Sequence, residues 1–174
     1  MSTLRRLFRG WLAIVLLAGI GPLRAELAEE YELKAAFLYN FALFTHWPGE
    51  TAEPFTLCLY GPHRFGDALR QLDGKTVHDI PLSLQFPQTA QEARTCQVLF
   101  FNPDAVPRAA ELLEALRAAP VLTISDHPVA WPMGTMIVLA VDPQRVVFDI
   151  NTRRARQAGL DFSAKLLRLA RTVH

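Results

Sequence analysis

The sequence lacks the short motifs that bind phosphates or build the common hydrolytic sites. Its 174 residues contain no Walker phosphate loop, no Gly-x-Gly-x-x-Gly fingerprint and no Gly-x-Ser-x-Gly nucleophile elbow. The five histidines are scattered, and none is paired at helical spacing with another histidine or with a carboxylate cluster. We therefore predict no catalytic residues, no metal site and no cofactor, and we expect that the protein is not an enzyme.

Asp126-His127 is the pair that most resembles a catalytic site, because it follows an apolar run at the expected end of a strand. Ligands of open α/β sheets bind beyond the carboxyl ends of strands. An enzyme that uses this pair is thus one alternative, and a small-ligand pocket near Gly61-Pro62-His63 and Asp126-His127 is another. Adjacent residues rarely face the same substrate atom, and no nucleophile, base and orienting group come together in the sequence. We favour the interpretation that Asp126-His127 begins a polar loop.

An excess of one charge is also missing. The chain has 18 lysines and arginines against 17 acidic residues. Removal of the first 25 residues would take four arginines away and leave 14 basic against 17 acidic residues, a net charge of −3. Nucleic acids and anionic membranes select basic surfaces, so neither is expected as a partner.

Cysteine is scarce, with two residues in the whole chain. Cys58 and Cys96 each lie in or beside an apolar run that predicts a strand, and they are not in a Cys-x-x-Cys motif. An even count in an exported chain favours one disulfide. The alternative is a pair of buried free thiols, which behave as small apolar side chains.

One long apolar run is present, and it lies at the N-terminus. Arg5, Arg6 and Arg9 precede an apolar core, Trp11–Ile20, and the small residue Ala25 follows. This order is typical of a secretory signal peptide, and the core is shorter than the about 20 residues that span a membrane. We expect cleavage near Ala25, export, and a single domain over residues 26–174. An uncleaved anchor is the alternative.

The exported part alternates short apolar strands with amphipathic helices. PFTLCLYG, CQVLFF and VLTISD predict three buried strands, and TMIVLAV and RVVFDI predict a hairpin across Asp142-Pro143-Gln144. This pattern is typical of an α/β fold, a Rossmann-like three-layer sandwich. Its mixed sheet would close with a C-terminal hairpin and carry flanking helices on both faces.

Two helices are expected at the ends of this domain. The first is predicted from about Ala28 to Thr45, and the last is capped by Asn151, pauses at Gly159 and resumes at Asp161. Their apolar stripes are Leu33, Phe37, Phe41 and Phe44 in the first helix, and Phe162, Leu166, Leu169 and Val173 in the last.

Several segments together resemble the YfiR-like periplasmic domain family. YELKAAFLYNFALFTHWP is similar to the family's opening helix, which ends at Trp-Pro. LCLYG, CQVLFF and the closing stretch RVVFDINTRRARQAGLDFSAKLLRLARTV follow in the family's order and spacing. The resemblance covers residues 28–173, and it departs at Met133-Gly134, where a Gly-Gly pair is usual.

The resemblance implies a periplasmic regulator rather than an enzyme. The best understood members bind the periplasmic part of an inner-membrane diguanylate cyclase and hold it inactive, which lowers cyclic-di-GMP. A histidine kinase or another membrane signalling protein is an alternative partner, and a homodimer is possible. The resemblance also supports a disulfide between Cys58 and Cys96.

Two aromatic segments are candidates for partner contact. Trp47 could pack under the end of the first helix, which we favour since Trp is highly buried on average, or it could form an exposed apolar patch. Trp131, Pro132 and Met133 form the second candidate. Aromatic anchors commonly dominate interfaces.

Overall fold

The structure is a computed structural model that describes residues 21–49, 51–104, 108–142 and 145–174, with side chains from residue 27 onward. Residues 1–20 of the predicted signal peptide lie outside this range, so the signal peptide stays a prediction. Within the described ranges, no helix is both long and apolar enough to cross a bilayer.

The fold is a mixed eight-stranded sheet with helices on both faces, which confirms the predicted class. In chain order the elements are α1 (Gly21–Leu43), β1 (Thr45–His46), β2 (Phe55–Tyr60), β3 (Thr76–Val77), β4 (Ile80–Gln85), α2 (Ala90–Ala93), β5 (Val98–Phe101), α3 (Ala109–Ala115), β6 (Leu122–Ser125), β7 (Ile137–Asp142), β8 (Arg145–Ile150), α4 (Thr152–Gln157), β9 (Asp161–Phe162), α5 (Ala164–Leu169) and β10 (Thr172–Val173). Short 3₁₀ helices cover Gly66–Ala68 and Pro128–Ala130.

The strands of the large sheet are arranged in the order β10-β8-β7-β6-β5-β2-β4-β3. Five of them (β4, β2, β5, β6 and β7) are mutually parallel. β8 returns antiparallel to β7, with Asp142 opposite Arg145, as the hairpin prediction required. β1 and β9 pair separately as a two-stranded antiparallel sheet.

The core consists of two clusters, because the side chains of the central strands alternate between the two faces of the sheet. In β2, Leu57 and Leu59 belong to the first cluster, which also contains α1, α4 and α5 side chains, whereas Cys58 belongs to the second cluster with α2 and α3. Successive side chains of a strand point to opposite faces. The sheet is therefore covered on both faces, which explains its continuous apolar strand sequences.

The buried face of α1 differs from the predicted stripe. Phe41 is fully buried, but Leu33 is 45% exposed and Phe37 is partly buried. The buried positions are instead Lys34, Ala35, Leu38, Phe41 and Ala42. Alanines let the helix axis approach the sheet closely, and a search for large apolar residues overlooks them.

The predicted last helix has the expected cap and the expected break at Gly159, but its second part is shorter than predicted. Asn151 caps α4 as expected, because its Oδ1 accepts a hydrogen bond from the Arg154 N–H at 3.0 Å. After Gly159 the chain forms β9, the six-residue α5 and then β10. Phe162 and Val173 thus lie in strands, and Leu169 is 63% exposed.

The predicted disulfide joins Cys58 in β2 to Cys96 just before β5, with their Cα atoms 6.0 Å apart. Both residues are buried in the second cluster, at 0% and 3% exposure. The parallel pairing of β2 and β5 brings the two cysteines within bridging distance.

Candidate functional site

The strand order creates a crevice at the carboxyl edge of the sheet. β2 lies between β4 and β5. After β2 the chain forms β3 and β4 on one side of β2, and it then crosses over to form β5 on the other side. The loops after β2 and β5 therefore diverge, and such a topological switch point is where open α/β sheets bind ligands.

A cavity of about 280 Å³ lies at this position. Pro62, His63 and Arg64 line it from the segment after β2, and Asn102 and Asp104 line it from the segment after β5. This volume is just below roughly 300 Å³, where the usual range for small-molecule sites begins. The crevice is thus large enough for a compact organic ligand.

The wall of the cavity contains a buried ion pair between α1 and the end of β6. The Lys34 ammonium lies 2.7 Å from Asp126 Oδ2 and 2.6 Å from a Glu30 carboxylate oxygen. The side chains of Lys34 and Asp126 are 6% and 7% exposed. Two carboxylates share one ammonium here, so this group carries an excess negative charge that faces the cavity through Asp126.

The local sequence explains why these groups meet. Glu30 and Lys34 are four residues apart on α1, and Tyr31 and Lys34 are three apart, so all three lie on one side of the helix. The Tyr31 hydroxyl lies 3.4 Å from Asp126 Oδ2, and the Lys34 ammonium lies 4.5 Å from the Tyr31 ring centre. α1 therefore holds Asp126 in place at the cavity wall.

The pKa values of this group follow from its contacts. Burial is the largest single influence on Lys34 and lowers its pKa, but the hydrogen bonds to Asp126 and Glu30, together with the charge of Asp126, outweigh burial and raise the pKa above its usual range. Burial, followed by the Asp126 charge, raises the pKa of the Tyr31 hydroxyl. At neutral pH the lysine is thus charged and the tyrosine is protonated.

Asp126 and His127, adjacent in sequence, have separate partners. Asp126 points to α1, whereas the His127 Nε2 atom lies 3.1 Å from Asp104 Oδ2. His127 Nδ1 accepts a hydrogen bond from the Val129 N–H at 3.3 Å, so its proton is on Nε2 and is donated to Asp104. His127 therefore orients a second carboxylate, Asp104, at the same cavity.

Trp47 is partly buried against the first cluster. Its ring lies edge-to-face with Phe55, with 5.2 Å between centroids. Pro48 follows, and its ring packs on Gly159, where an added Cβ atom would lie 3.3 Å from Pro48 Cγ. The Trp-Pro segment therefore docks on the turn between α4 and β9.

Trp131 and Met133 are partly buried against the second cluster, on the other face of the sheet from Trp47, and Pro132 is exposed. The structure thus does not bring the two candidate contact segments together.

In the loop that contains Met133 and Gly134, the residue with a positive φ, +90°, is Gly134. Met133 has no positive φ, so its backbone does not require the glycine that the family usually has.

Two arginines near the C-terminus bind other parts of the domain. Arg154 donates to the Gly134 and Leu113 carbonyl oxygens, each at 3.2 Å. Arg171 binds both carboxylate oxygens of Asp149, at 3.0 and 2.5 Å. These arginines connect segments of the fold.

Sequence reasoning placed a possible pocket near Gly61-Pro62-His63 and Asp126-His127, and the structure has a cavity there, lined by Pro62, His63 and Asp126. It missed Lys34 and Tyr31. The available signal was a lysine on the helical face that includes Leu38 and Phe41, where a charge requires a buried partner.

Comparison with known proteins gives a family match and matches to solved structures. The family model DUF4154, described as YfiR/HmsC-like, matches residues 31–171. A crystal structure of a conserved domain protein from Vibrio cholerae O1 biovar El Tor superposes with a TM-score of 0.57 at 12% identity, over 83% of this chain and 60% of that one. The chain thus spans less than two thirds of that protein, and the likeness concerns the fold.

The ABC domain from Streptococcus pneumonia, solved in complex with L-Trp, has a TM-score of 0.47 at 8% identity. The match covers 69% of this chain and 55% of that one.

Proposed function

The chain belongs to the YfiR/HmsC-like family, and from this membership we propose that it is a periplasmic regulator of diguanylate cyclase signalling. The observation that carries the proposal is the family match over residues 31–171, which includes both strands of the small sheet and every strand of the large sheet except β10. The Cys58–Cys96 disulfide agrees with an oxidising compartment such as the periplasm.

The finer mechanism is binding to the periplasmic sensor part of an inner-membrane diguanylate cyclase. Binding to one conformation of the sensor would shift the cyclase toward its inactive state, because a ligand moves an equilibrium by its differential affinity for the two states. Cyclic-di-GMP on the other side of the membrane would then fall. This regulator needs a contact surface and a release signal.

The contact surface that we propose is the segment Trp131–Met133, with Pro132 at its centre. Pro132 is exposed, and Trp131 and Met133 are partly buried beside it. Trp47 is the second proposed contact residue, and it is partly buried with its ring packed on Phe55. Partly exposed aromatic residues on a fixed scaffold are suited to act as interface anchors.

Deletion of the gene tests the regulatory role. We expect cyclic-di-GMP to rise in the deletion strain and to return to its original level when the gene is restored. An unchanged level in the deletion strain would contradict repression of a cyclase.

Cross-linking in intact envelopes tests the partner. The tagged protein should capture an inner-membrane diguanylate cyclase, identified by mass spectrometry, and a Trp131→Ala/Met133→Ala variant should capture less of it. Val141→Ala is a matched control, because Val141 is also apolar and is 51% exposed but lies at the end of β7. Capture of a histidine kinase in place of a cyclase would reassign the partner.

A second candidate function, a small-ligand-binding module, is favoured by the cavity at the switch point. A ligand that binds the folded state raises the unfolding temperature. A thermal-stability screen with small metabolites tests this function without any partner protein.

A further inference from the structure

We propose that the switch-point cavity binds a small primary amine in its protonated form, with Asp126 and Asp104 as the groups that receive the ammonium. The proposal goes beyond the regulatory function, because it concerns the isolated protein and requires no cyclase.

The position of the cavity is the first observation. It lies where β2 and β5, neighbours in the sheet, send their following loops in opposite directions, which is the place where this class of sheet binds ligands. It is also bounded by α1, whose Tyr31 lines the wall. The segments that follow β2, β5 and β6 thus converge with α1 on a concave space.

The charge of the lining is the second observation, and it selects a cation. Asp126 and Glu30 together have one ammonium, that of Lys34, as their counter-charge. Asp104 adds a carboxylate whose partner His127 is a neutral hydrogen-bond donor. Arg64 lines the cavity as an exposed side chain and offsets part of this charge. The sum over these groups is negative, so a cation is favoured over an anion.

Asp126 is the anchoring group. Its side chain is 7% exposed, and its hydrogen bonds from Tyr31 and Lys34 both go to Oδ2. Within the described ranges, Oδ1 accepts no hydrogen bond. A charge-assisted bond from an ammonium to Oδ1 would be shielded from bulk water and stronger than an exposed one.

The walls of the cavity suit an apolar body attached to the amine. Tyr31, Phe100 and Pro62 present two aromatic rings and one proline ring. Phe100 is rigidly placed, since it is 3% exposed and packs edge-to-face on Phe65 with 4.9 Å between centroids. Aromatic faces also attract an ammonium directly. A volume of about 280 Å³ limits the ligand to a compact molecule.

Isothermal titration calorimetry on the purified full-length protein tests the proposal with three amines of different body: butylamine, cyclohexylamine and 2-phenylethylamine. At least one should bind with a Kd of about 10 mM or tighter, which is the affinity that a ligand of this size can reach. Its neutral isostere, such as 2-phenylethanol for 2-phenylethylamine, should bind at least about tenfold more weakly, because it lacks the charged hydrogen bond.

Asp126→Asn should weaken binding of the best amine by about tenfold or more, and Asp104→Asn by about threefold, since Asp104 is 66% exposed. Asp104→Asn also serves if the Asp126 variant does not fold. Glu114→Gln is the control, because it removes an exposed carboxylate on α3 outside the cavity lining and should leave the Kd unchanged.

Three results would overturn the proposal: no binding by any of the three amines, equal binding of an amine and its alcohol, or tighter binding of the anion 3-phenylpropanoate than of 2-phenylethylamine. None of these results would bear on cyclase repression. Conversely, an unchanged cyclic-di-GMP level in the deletion strain would leave amine binding intact.

Discussion

The two faces of the sheet are stabilised in different ways. The face covered by α2 and α3 buries an apolar cluster with the Cys58–Cys96 disulfide inside it. The face covered by α1 buries a larger apolar cluster, but at its edge Lys34 and Asp126 form an ion pair beside the cavity. A covalent bond, which is independent of charge, adds to the packing of the first face, whereas an ion pair with one ammonium adds to the packing of the second face. Variants that perturb the two faces should therefore change the unfolding free energy by different amounts.

Removal of the disulfide should have the largest effect. A Cys58→Ala/Cys96→Ala double variant should lose about 4 kcal/mol of unfolding free energy, because the bridge closes a loop with a sequence separation of 38. Urea denaturation of both proteins measures the loss. A loss below about 1 kcal/mol would mean that apolar packing alone fixes this face.

Removal of the buried ammonium should have the next largest effect. Lys34→Met leaves Asp126 without its principal partner, so we expect a loss of about 3 kcal/mol, the lower end for a broken buried pair. The double variant Lys34→Met/Asp126→Asn should recover part of this loss, since the unpaired charge is then absent. If the double variant lost as much unfolding free energy as the Lys34→Met and Asp126→Asn single variants added together, the result would contradict the pairing.

Gly159→Ala tests the contact between the two ends of the domain and should cost about 2 kcal/mol. Its φ is +77° and the added methyl group would crowd Pro48. Gly74→Ala is the control, because its φ is +78° and no atom lies within 4 Å of the added Cβ. The difference in unfolding free energy between the two variants measures the cost of crowding Pro48. Equal losses would mean that the positive φ alone accounts for the effect of Gly159→Ala.

The Asp149–Arg171 pair should have the smallest effect, about 0.5 kcal/mol for Asp149→Asn at pH 7. Hydrogen bonding to Arg171 lowers the pKa of Asp149 below its usual 3.8. The folded state therefore holds the proton less tightly than the unfolded chain. The contribution is present above about pH 4 and is lost as the pH falls through the lowered pKa.

Denaturation of wild type and variant at pH 7 and pH 3 measures this dependence, and the difference between them should shrink at the lower pH. Asp67→Asn is the control, since Asp67 and Arg70 are both more than 80% exposed and their pair should contribute nothing measurable.

The sequence predicted the central sheet well, because strands buried on both faces must be apolar throughout. β2, β5 and β6 lie at such runs, and the β7–β8 hairpin lies where its two apolar segments and the intervening turn predicted it. The stretch after Gly159 was predicted poorly. β9 and β10 have two residues each, and they form because Thr45 and Asp149 provide distant partners for Phe162 and Thr172. Local periodicity contains no information about such pairing.

The candidate cavity was predicted in part. The polar residues at strand ends indicated where it lies, since this follows from the rule for carboxyl edges. Tyr31 and Lys34 were missed because they belong to a helix 92 to 95 residues away in sequence from Asp126. A lysine on an apolar helical face signals a buried partner, but it does not identify that partner.

The depth of the disulfide has a consequence for its chemistry. Thiol–disulfide exchange requires an attacking thiolate to reach a sulfur atom, and Cys58 and Cys96 are almost without solvent contact. A reductant in the surrounding medium can therefore reach the bond only when this face of the sheet opens. The rate at which a large excess of dithiothreitol cleaves the bond in the native protein should become independent of its concentration. The bond would then report how often the domain opens rather than the redox state of its surroundings.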